Sequence, residues 1–277
     1  MYELIQDLES AFPTRMLCEV LQVSRSAYYA YKAGQSYQSK EEQLPVSEQV
    51  KQVFQEHKRR YGTPRLVAEL KESGLSIGRK KVRRLMRKQG LVAIQPRSFV
   101  ARTTDSRHGK RVAPNRLLEV PPPTAPDQVW VGDITYVPLA KGKWAYLATW
   151  LDPYSRLSVG WQVDDNMEES LIIRALQKGL QGRKPAIGLI VHSDRGGQYV
   201  GDEFKKLLLD HHCLQSMSRA DDPTDNAFAE SFFSRFKAEA LENGAFLNLE
   251  DAKTEIFEFI EIYYNRKRRH SSLGNKS

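Results

Sequence analysis

The sequence predicts an α/β protein in which a mixed five-stranded sheet flanked by helices follows small all-α helix-turn-helix regions. Three observations carry that expectation. Residues 127–277 hold three strand-like runs joined by short turns, then helices and strands in alternation. Residues 1–94 show only the three- and four-residue spacing of amphipathic helices. Between them, residues 95–126 carry Pro96, Pro114 and the run "PPPTAP", which keep the chain extended. The expected segments are therefore 1–45, 46–94, 95–126 and 127–277.

Within the first segment, "TRMLCEVLQVSRSAYYAYKA" (14–33) reads as two short helices around a "VS" turn, with Ser24 placed to cap the second. The second segment opens with "VSEQVKQVFQEHKRR", whose Val46, Val50, Val53 and Phe54 share a face. After "YG", Thr63 is placed to cap a helix with Pro64 at its first position and Leu66, Val67 and Leu70 inward. "RKKVRRLMRKQG" follows, with Val82, Leu85 and Met86 inward and Arg79, Lys80, Arg83, Arg84, Arg87 and Lys88 outward. Helical period and charge coincide there, as a helix that contacts a DNA groove or backbone requires. The ordinary alternative is a solvated basic face.

From Asp127 the expected order is strand "QVWVGDITYVPL", strand "KWAYLATWLD" and strand "SRLSVGWQV". Helix "MEESLIIRALQKGL", strand "AIGLIVH", helix "DEFKKLLLDHH" and short strand "LQSMS" come next. Two helices, "DNAFAESFFSRFKAEAL" and "LEDAKTEIFEFIEIYYN", close the chain.

Composition narrows the function. The net charge of +8 is spread unevenly: residues 46–126 carry 19 basic and 6 acidic side chains, while the flanking segments are slightly acidic. Such asymmetry points to a polyanion partner, most often nucleic acid. The acidic balance of residues 1–45 argues against that segment being the main DNA clamp. No run of eighteen apolar residues suggests a membrane span. The acidic start "MYELIQDLES" lacks a signal peptide's cationic flank. Two cysteines, Cys18 and Cys213, exclude a disulfide framework and a four-cysteine zinc site. A cytoplasmic protein is expected.

Three acids stand out. Asp133 interrupts the first strand, on a face shared with Val129, Val131, Thr135 and Val137. A buried carboxylate there needs a partner, and a metal ion is an efficient one; Gly132 is expected to leave room beside it. The alternative is a strand-edge aspartate reaching solvent. Asp194 leaves the fourth strand just before Gly196 and Gly197, which permit close backbone approach to a ligand. Glu230 borders a stripe of Ala229, Phe232, Phe233, Phe236 and Ala240, in a polar line with Ser234 and Lys237; alone, it reads as an ordinary Glu–Lys helix face. Together, three carboxylates supply the oxygen ligands that hard divalent cations take, and two such ions can drive phosphodiester chemistry. His192, His211, His212 and Cys213 invite a zinc reading, but adjacent histidines on a helix point in different directions. Asp152, in "LDPYSR", is a competing acid whose expected role is to cap the Pro153 turn. Gln198 and Asn226 flank the acids as candidate DNA contacts or structural hydrogen-bonders.

"VWVGDITYV", "HSDRGGQY", "DNAFAESFFSRFK" and "YYNRKRRHSSLG" resemble the insertion-sequence transposases of the IS-three group, specifically their second-frame product OrfB, with a core similar to retroviral integrases. "CEVLQVSRSAYY" and "HKRRYGTPRL…IGRKKVRRLMRK" extend the likeness over nearly the whole chain. Thirty-five residues lie between Asp194 and Glu230, the spacing of that group. The resemblance implies a ribonuclease H-like fold. Asp133, Asp194 and Glu230 would be the catalytic residues and hold two Mg2+ ions, for which Mn2+ substitutes. Lys237 would contact DNA near the cut end, with Arg268 as a further DNA contact. One strand is cut at the element's terminal inverted repeat, and the freed 3′-hydroxyl attacks another phosphodiester, first giving a circular intermediate. Partners would be double-stranded DNA, a second copy or more of this chain, and the upstream-frame product OrfA, in a nucleoid-associated bacterial setting. Alternatives are a ribonuclease H-like nuclease that cuts without rejoining, and a catalytically inactive DNA-binding regulator. Two departures stand out: "RADDPTDNA" replaces a lysine–glycine turn, and the chain stops at "LGNKS", short of a proline-containing tail.

Overall fold

The computed structural model describes residues 1–34, 43–96, 112–219, 223–242 and 244–276, with only the backbone given for 43–45 and 223–224. The basic residues Arg97, Arg102, Arg107, Lys110 and Arg111, and the loop acids Asp221 and Asp222, lie outside them. Contacts divide the chain into two compact units, Met1–Val92 and Ala93–Ser277.

In the first unit, helices α1 (Tyr2–Leu8), α2 (Thr14–Val20) and α3 (Arg25–Lys32) close over Ile5, Leu17, Cys18 and Tyr28. Helix α1 was not expected; its apolar signal is a single buried side chain, Ile5. Ser24 does stand at the start of α3, but its hydroxyl meets Ser26 Oγ at 2.7 Å and makes no cap bond. Helices α4 (Gln43–Glu56), α5 (Thr63–Glu72) and α6 (Arg79–Lys88) form a second triple around Val50, Phe54, Tyr61, Leu66, Leu70 and Val82. Thr63 is the first residue of α5 rather than its cap. Gly62 takes the cap position and the Thr63 hydroxyl turns to Met86 Sδ, 3.5 Å away.

The second unit is built on five strands: β1 (Val129–Pro138), β2 (Trp144–Leu151), β3 (Ser158–Asp164), β4 (Ile190–Ser193) and β5 (Leu214–Met217). Their order in the sheet is β3-β2-β1-β4-β5. The first three form an antiparallel meander, as their short turns dictate. Strands β4 and β5 join parallel to β1, reached by crossovers through helices α7 (Glu169–Arg183) and α8 (Asp202–Asp210). This is the ribonuclease H-like arrangement.

One face of the sheet packs Trp130, Ala148 and Trp150 against Leu171, Ile172, Ala175 and Leu176 of α7, with Phe204 of α8 stacked on Trp150. Each such buried side chain contributes roughly 1.5–3 kcal/mol of transfer free energy. Helix α9 (Ala227–Phe236) lies on β1, and helix α10 (Leu249–Phe257) on β3. Both run on as π-helices, Lys237–Leu241 and Glu258–Tyr264. Phe232 meets Tyr264, and Phe236 meets Phe259, edge to face between these helices. The last helix is tied to β3 through Asn265, which bonds both the amide and the carbonyl of Ser158.

The π turn corrects the expected apolar stripe. Wider winding turns Ala240 partly outward and carries Glu239 into the interior, 2% exposed. There Glu239 takes a two-pronged bond from Arg268, at 2.9 and 3.1 Å. Among the described residues, no helix is long and apolar enough to cross a membrane.

Candidate active site

Asp133 sits in β1, level with Thr149 on β2. On the other side Val131 pairs with His192, so continuing the parallel register by two residues brings Asp133 level with Asp194. Helix α9 rests on β1 and carries Glu230 in its first turn and Lys237 just past its end. Electrostatics show the convergence directly. Burial, then the Asp194 charge, push the Asp133 carboxyl well above the usual carboxylate range. Glu230 adds to the push, while the Ile134 amide (2.8 Å) and the Lys237 ammonium oppose it. Lys237 is half-buried; desolvation lowers its pKa and the Asp133 charge partly restores it.

The glycines work differently from expectation. Successive strand residues face opposite sides, so Gly132 points away from Asp133, and a Cβ there would strike the Trp150 ring at 2.3 Å. The space Gly132 leaves is filled by core. Gly196 makes its close approach to protein: its amide donates to Asp194 Oδ1 at 3.0 Å, and a Cβ would lie 3.1 Å from that oxygen. Gly197 has nothing near the position a Cβ would take.

Among the described residues, no three His, Cys, Asp or Glu side chains stand together as a site for one ion. The three acids are neighbours in charge rather than a closed ligand cage. Three buried polar atoms around them lack partners: Thr149 Oγ1, Asn226 Oδ1 and the Tyr199 hydroxyl. The Tyr199 hydroxyl is also held well above its usual pKa, by burial first and then by Asp194 and Asp133.

Other expected site residues fall into place individually. Gln198 donates to the Met167 carbonyl at 3.0 Å. Asn226 is buried immediately before α9. Arg79, Lys80, Arg83, Arg84, Arg87 and Lys88 are all exposed along α6. Arg268 is corrected: at 4% exposure and forked onto Glu239, it braces the helices and is no surface contact for DNA. Asp152 is fully buried and gathers the Asp127, Tyr154 and Ser155 amides and the Ser155 hydroxyl, so it organises the turn at Pro153. His192 lies between Ser216 and Ser218, with burial lowering its pKa to about 4, while burial pushes the Cys213 thiol up to about 11. His211 and His212 are exposed at the end of α8.

Sequence reasoning missed three polar contacts: buried Glu239 with Arg268, buried His192 with two serines, and Asp225 with exposed Arg219 and with Asn115. The only signal was the unusual acid content of "RADDPTDNA".

Comparison with known proteins now gives the class. A profile described as integrase core domain matches residues 123–223, another of the same description matches 211–277, and an HTH-like domain profile matches 40–99. The chain is thus an integrase-core enzyme of the polynucleotidyl-transferase kind joined to a helix-turn-helix-like region. It is 40% identical over 261 residues to the insertion element IS600 uncharacterized 31 kDa protein of Shigella sonnei, covering 94% of this chain and 95% of that protein. It is 36% identical over 278 residues to transposase InsF for insertion sequence IS3A of Escherichia coli (strain K12), covering 100% and 96%. Solved structures are more distant. The HTLV-2 integrase catalytic core domain in complex with magnesium is 15% identical, with a TM-score of 0.42 over 56% of this chain and 96% of that one. The chain belongs to the insertion-sequence transposases of the IS3 group, and its function is DNA transposition.

Proposed function

We propose that Asp133, Asp194 and Glu230 are the catalytic carboxylates of this transposase and that they hold two Mg2+ ions, or Mn2+ in their place. The observation that carries the reading is that β1, the end of β4 and a helix packed on β1 bring the charges of Asp194, Glu230 and Lys237 to bear on Asp133. Asp194 and Glu230, 61 and 97 positions along the chain from Asp133, both repel it at one corner. Such repulsion is costly unless cations join them. The donor set fits hard divalent cations: all oxygen, no thiolate, with orphaned hydroxyl and amide oxygens close by. Asp133, in the field of both Asp194 and Glu230, would share the ions with each of them, so three acids need not meet at one ion.

When bound, such a pair of ions polarises the scissile phosphate and stabilises the leaving oxygen. The chain's own part is positional. Asp133 and Asp194 are fixed by β1 and β4, and Glu230 by a helix packed on the same strand. Lys237, half-buried beside Asp133, presents an ammonium to a DNA phosphate. Gln198 flanks this corner as a further DNA contact, whereas buried Asn226 serves the start of α9. The exposed cations of α6 (Arg79, Lys80, Arg83, Arg84, Arg87 and Lys88) bind the phosphate backbone of double-stranded DNA, and the helix-turn-helix-like region reads the terminal inverted repeat. Hydrolysis of one strand there frees a 3′-hydroxyl. That oxygen forms a new P–O bond in the next phosphodiester as the old P–O bond breaks; its proton leaves to solvent, and the departing strand end takes a proton from solvent to become a hydroxyl. Two ends must be held, so the working form is at least a homodimer, alone or with the upstream-frame product.

The test is Mg2+-dependent joining of a labelled terminal-repeat duplex by the full chain and by Glu230→Gln. Joining that persists in the variant sinks the assignment. A pre-cut end that is never joined would favour a nuclease. Unchanged function in Asp133→Asn, Asp194→Asn and Glu230→Gln would favour a regulator.

A further inference from the structure

The segment leading into the catalytic unit is bolted to two places beside the acids. Its Pro114 carbonyl accepts from the Met217 amide (3.3 Å), and Arg116 Nε donates to the Gln215 carbonyl (3.1 Å), so it runs along the free edge of β5. From there two paths reach inward.

One path ends on the helix that carries Glu230. Asp225 lies in the 3-10 turn that leads directly into α9, five residues before Glu230. Asn115 Nδ2 donates to Asp225 Oδ2 at 2.8 Å. The Arg219 amide and Nε donate to the same oxygen at 2.8 and 3.0 Å, and Nη2 donates to Oδ1 at 2.9 Å. The Asn115 carbonyl oxygen is held in turn by the Leu117 amide at 3.0 Å, so the side chain cannot swing away without losing both bonds.

The other path ends on the strand that carries Asp194. The Arg116 amide donates to Ser216 Oγ at 3.0 Å, and Ser216 Oγ lies 2.9 Å from His192 Nδ1. His192 Nε2 lies 3.1 Å from Ser218 Oγ, whose hydroxyl donates to the Ser193 carbonyl at 3.3 Å. Counting protons sets the direction. Ser218 spends its proton on Ser193, so Nε2–H donates to Ser218. The neutral ring then accepts at Nδ1, and Ser216 donates there. The relay runs from the Arg116 amide to the carbonyl next to Asp194.

We propose that Asn115 and Arg116 form a positioning strap, which sets the start of the Glu230 helix through Asp225 and the end of the Asp194 strand through Ser216 and His192. The inference rests on the catalytic reading of the three acids. It adds that the chain entering the catalytic unit holds their spacing, so Asn115 acts without touching DNA. Asp225, ion-paired with Arg219, serves as the anchor.

The experiment uses the full chain with Asn115→Asp, which keeps the shape and sets a carboxylate against Asp225. Amide hydrogen exchange is read on metal-free protein, and single-turnover joining is read against Mg2+ and DNA concentration. Exchange at residues 226–230 should quicken about tenfold, as expected for loss of one bond to a charged group, with the α6 amides unchanged. The joining rate should fall about tenfold and half-saturating Mg2+ should rise severalfold, with half-saturating DNA within about twofold of the parent. Adding Asp225→Asn should return both readouts toward the parent, because the facing carboxylates are then relieved. Unchanged exchange at 226–230 overturns the strap, as does a rate loss that appears only as weaker DNA binding. Should Asn115→Asp not fold, Asn115→Ala, which only removes the donor, is judged by the same measurements. Glu230→Gln run alongside separates the two claims: its full activity would remove the catalytic reading, whereas the exchange result judges the strap alone.

Discussion

Helix α6 and the corner formed by β1, β4 and α9 both concentrate charge, in opposite ways. On α6 all seven cations from Arg79 to Lys88 are exposed, and apolar Val82, Leu85 and Met86 alone anchor the helix. Each cation is solvated, screened and replaceable. At the β1–β4–α9 corner the acids are held by rigid elements, close enough that Asp133 is shifted by both others and by Lys237. There the charges act on one shared carboxylate, Asp133. Scattered charge should therefore give graded, salt-dependent and additive effects, while charges converging on one carboxylate should give large, non-additive ones.

The largest expected effect tests the acidic corner. Asp133→Asn, Asp194→Asn or Glu230→Gln should each lower joining by about a thousandfold, the size of several kcal/mol of lost charge stabilisation. The triple variant should be little worse than any single one. Gel-shift binding should survive in all of them; independent, multiplying losses would break the comparison.

Next is the enclosed ion pair behind the site. Arg268→Met alone leaves Glu239 buried without its partner and should cost about 3–5 kcal/mol of stability. The double change Arg268→Met with Glu239→Leu should recover most of it. Thermal unfolding of both proteins decides, and a single variant as stable as the parent would mean that water reaches Glu239.

Smaller effects are expected on α6. Replacing Arg83, Arg84 or Arg87 by Gln should each lower the slope of log affinity against log salt by about one and add up across sites. Joining at saturating DNA should be unaffected. Fluorescence anisotropy over a salt series measures this.

The smallest effect concerns pH. The Arg219 guanidinium, chiefly, holds the Asp225 carboxyl down to about 2, below its usual 3.8. A depressed acid contributes stability that is complete above the unfolded value and disappears as pH falls through the folded one. The parent should therefore lose stability between about pH 4 and 2 more steeply than Asp225→Asn; parallel melting curves over that range would remove Asp225 from the acid response.

How much of this was legible depends on the range of each signal. The five strands and the α7 core (Leu171, Ile172, Ala175, Leu176 and Leu180, all buried) follow from local period and so could be read in short windows. The same holds for the inward Val82, Leu85 and Met86 of α6. Local period also misled where the backbone changed its winding: Ala240 belongs to the stripe only if the helix stays α, and a π turn after Phe236 puts Glu239 inside instead. Arg268 looked like a surface cation because its partner lies 29 positions away. Gly132 was credited to the ligand because no window shows that Trp150 faces it.

The sequence by itself determined the class of the fold and the basic helix, since composition and alternation are properties of neighbouring residues. Only the tertiary structure decided that Asp133 and Asp194 are level, that Glu230 and Lys237 come down on them, and that Asn115 reaches Asp225 across 110 positions. Those facts depend on strand pairing and helix packing between distant segments. Their free energy comes from burial that no single stretch of chain can achieve alone.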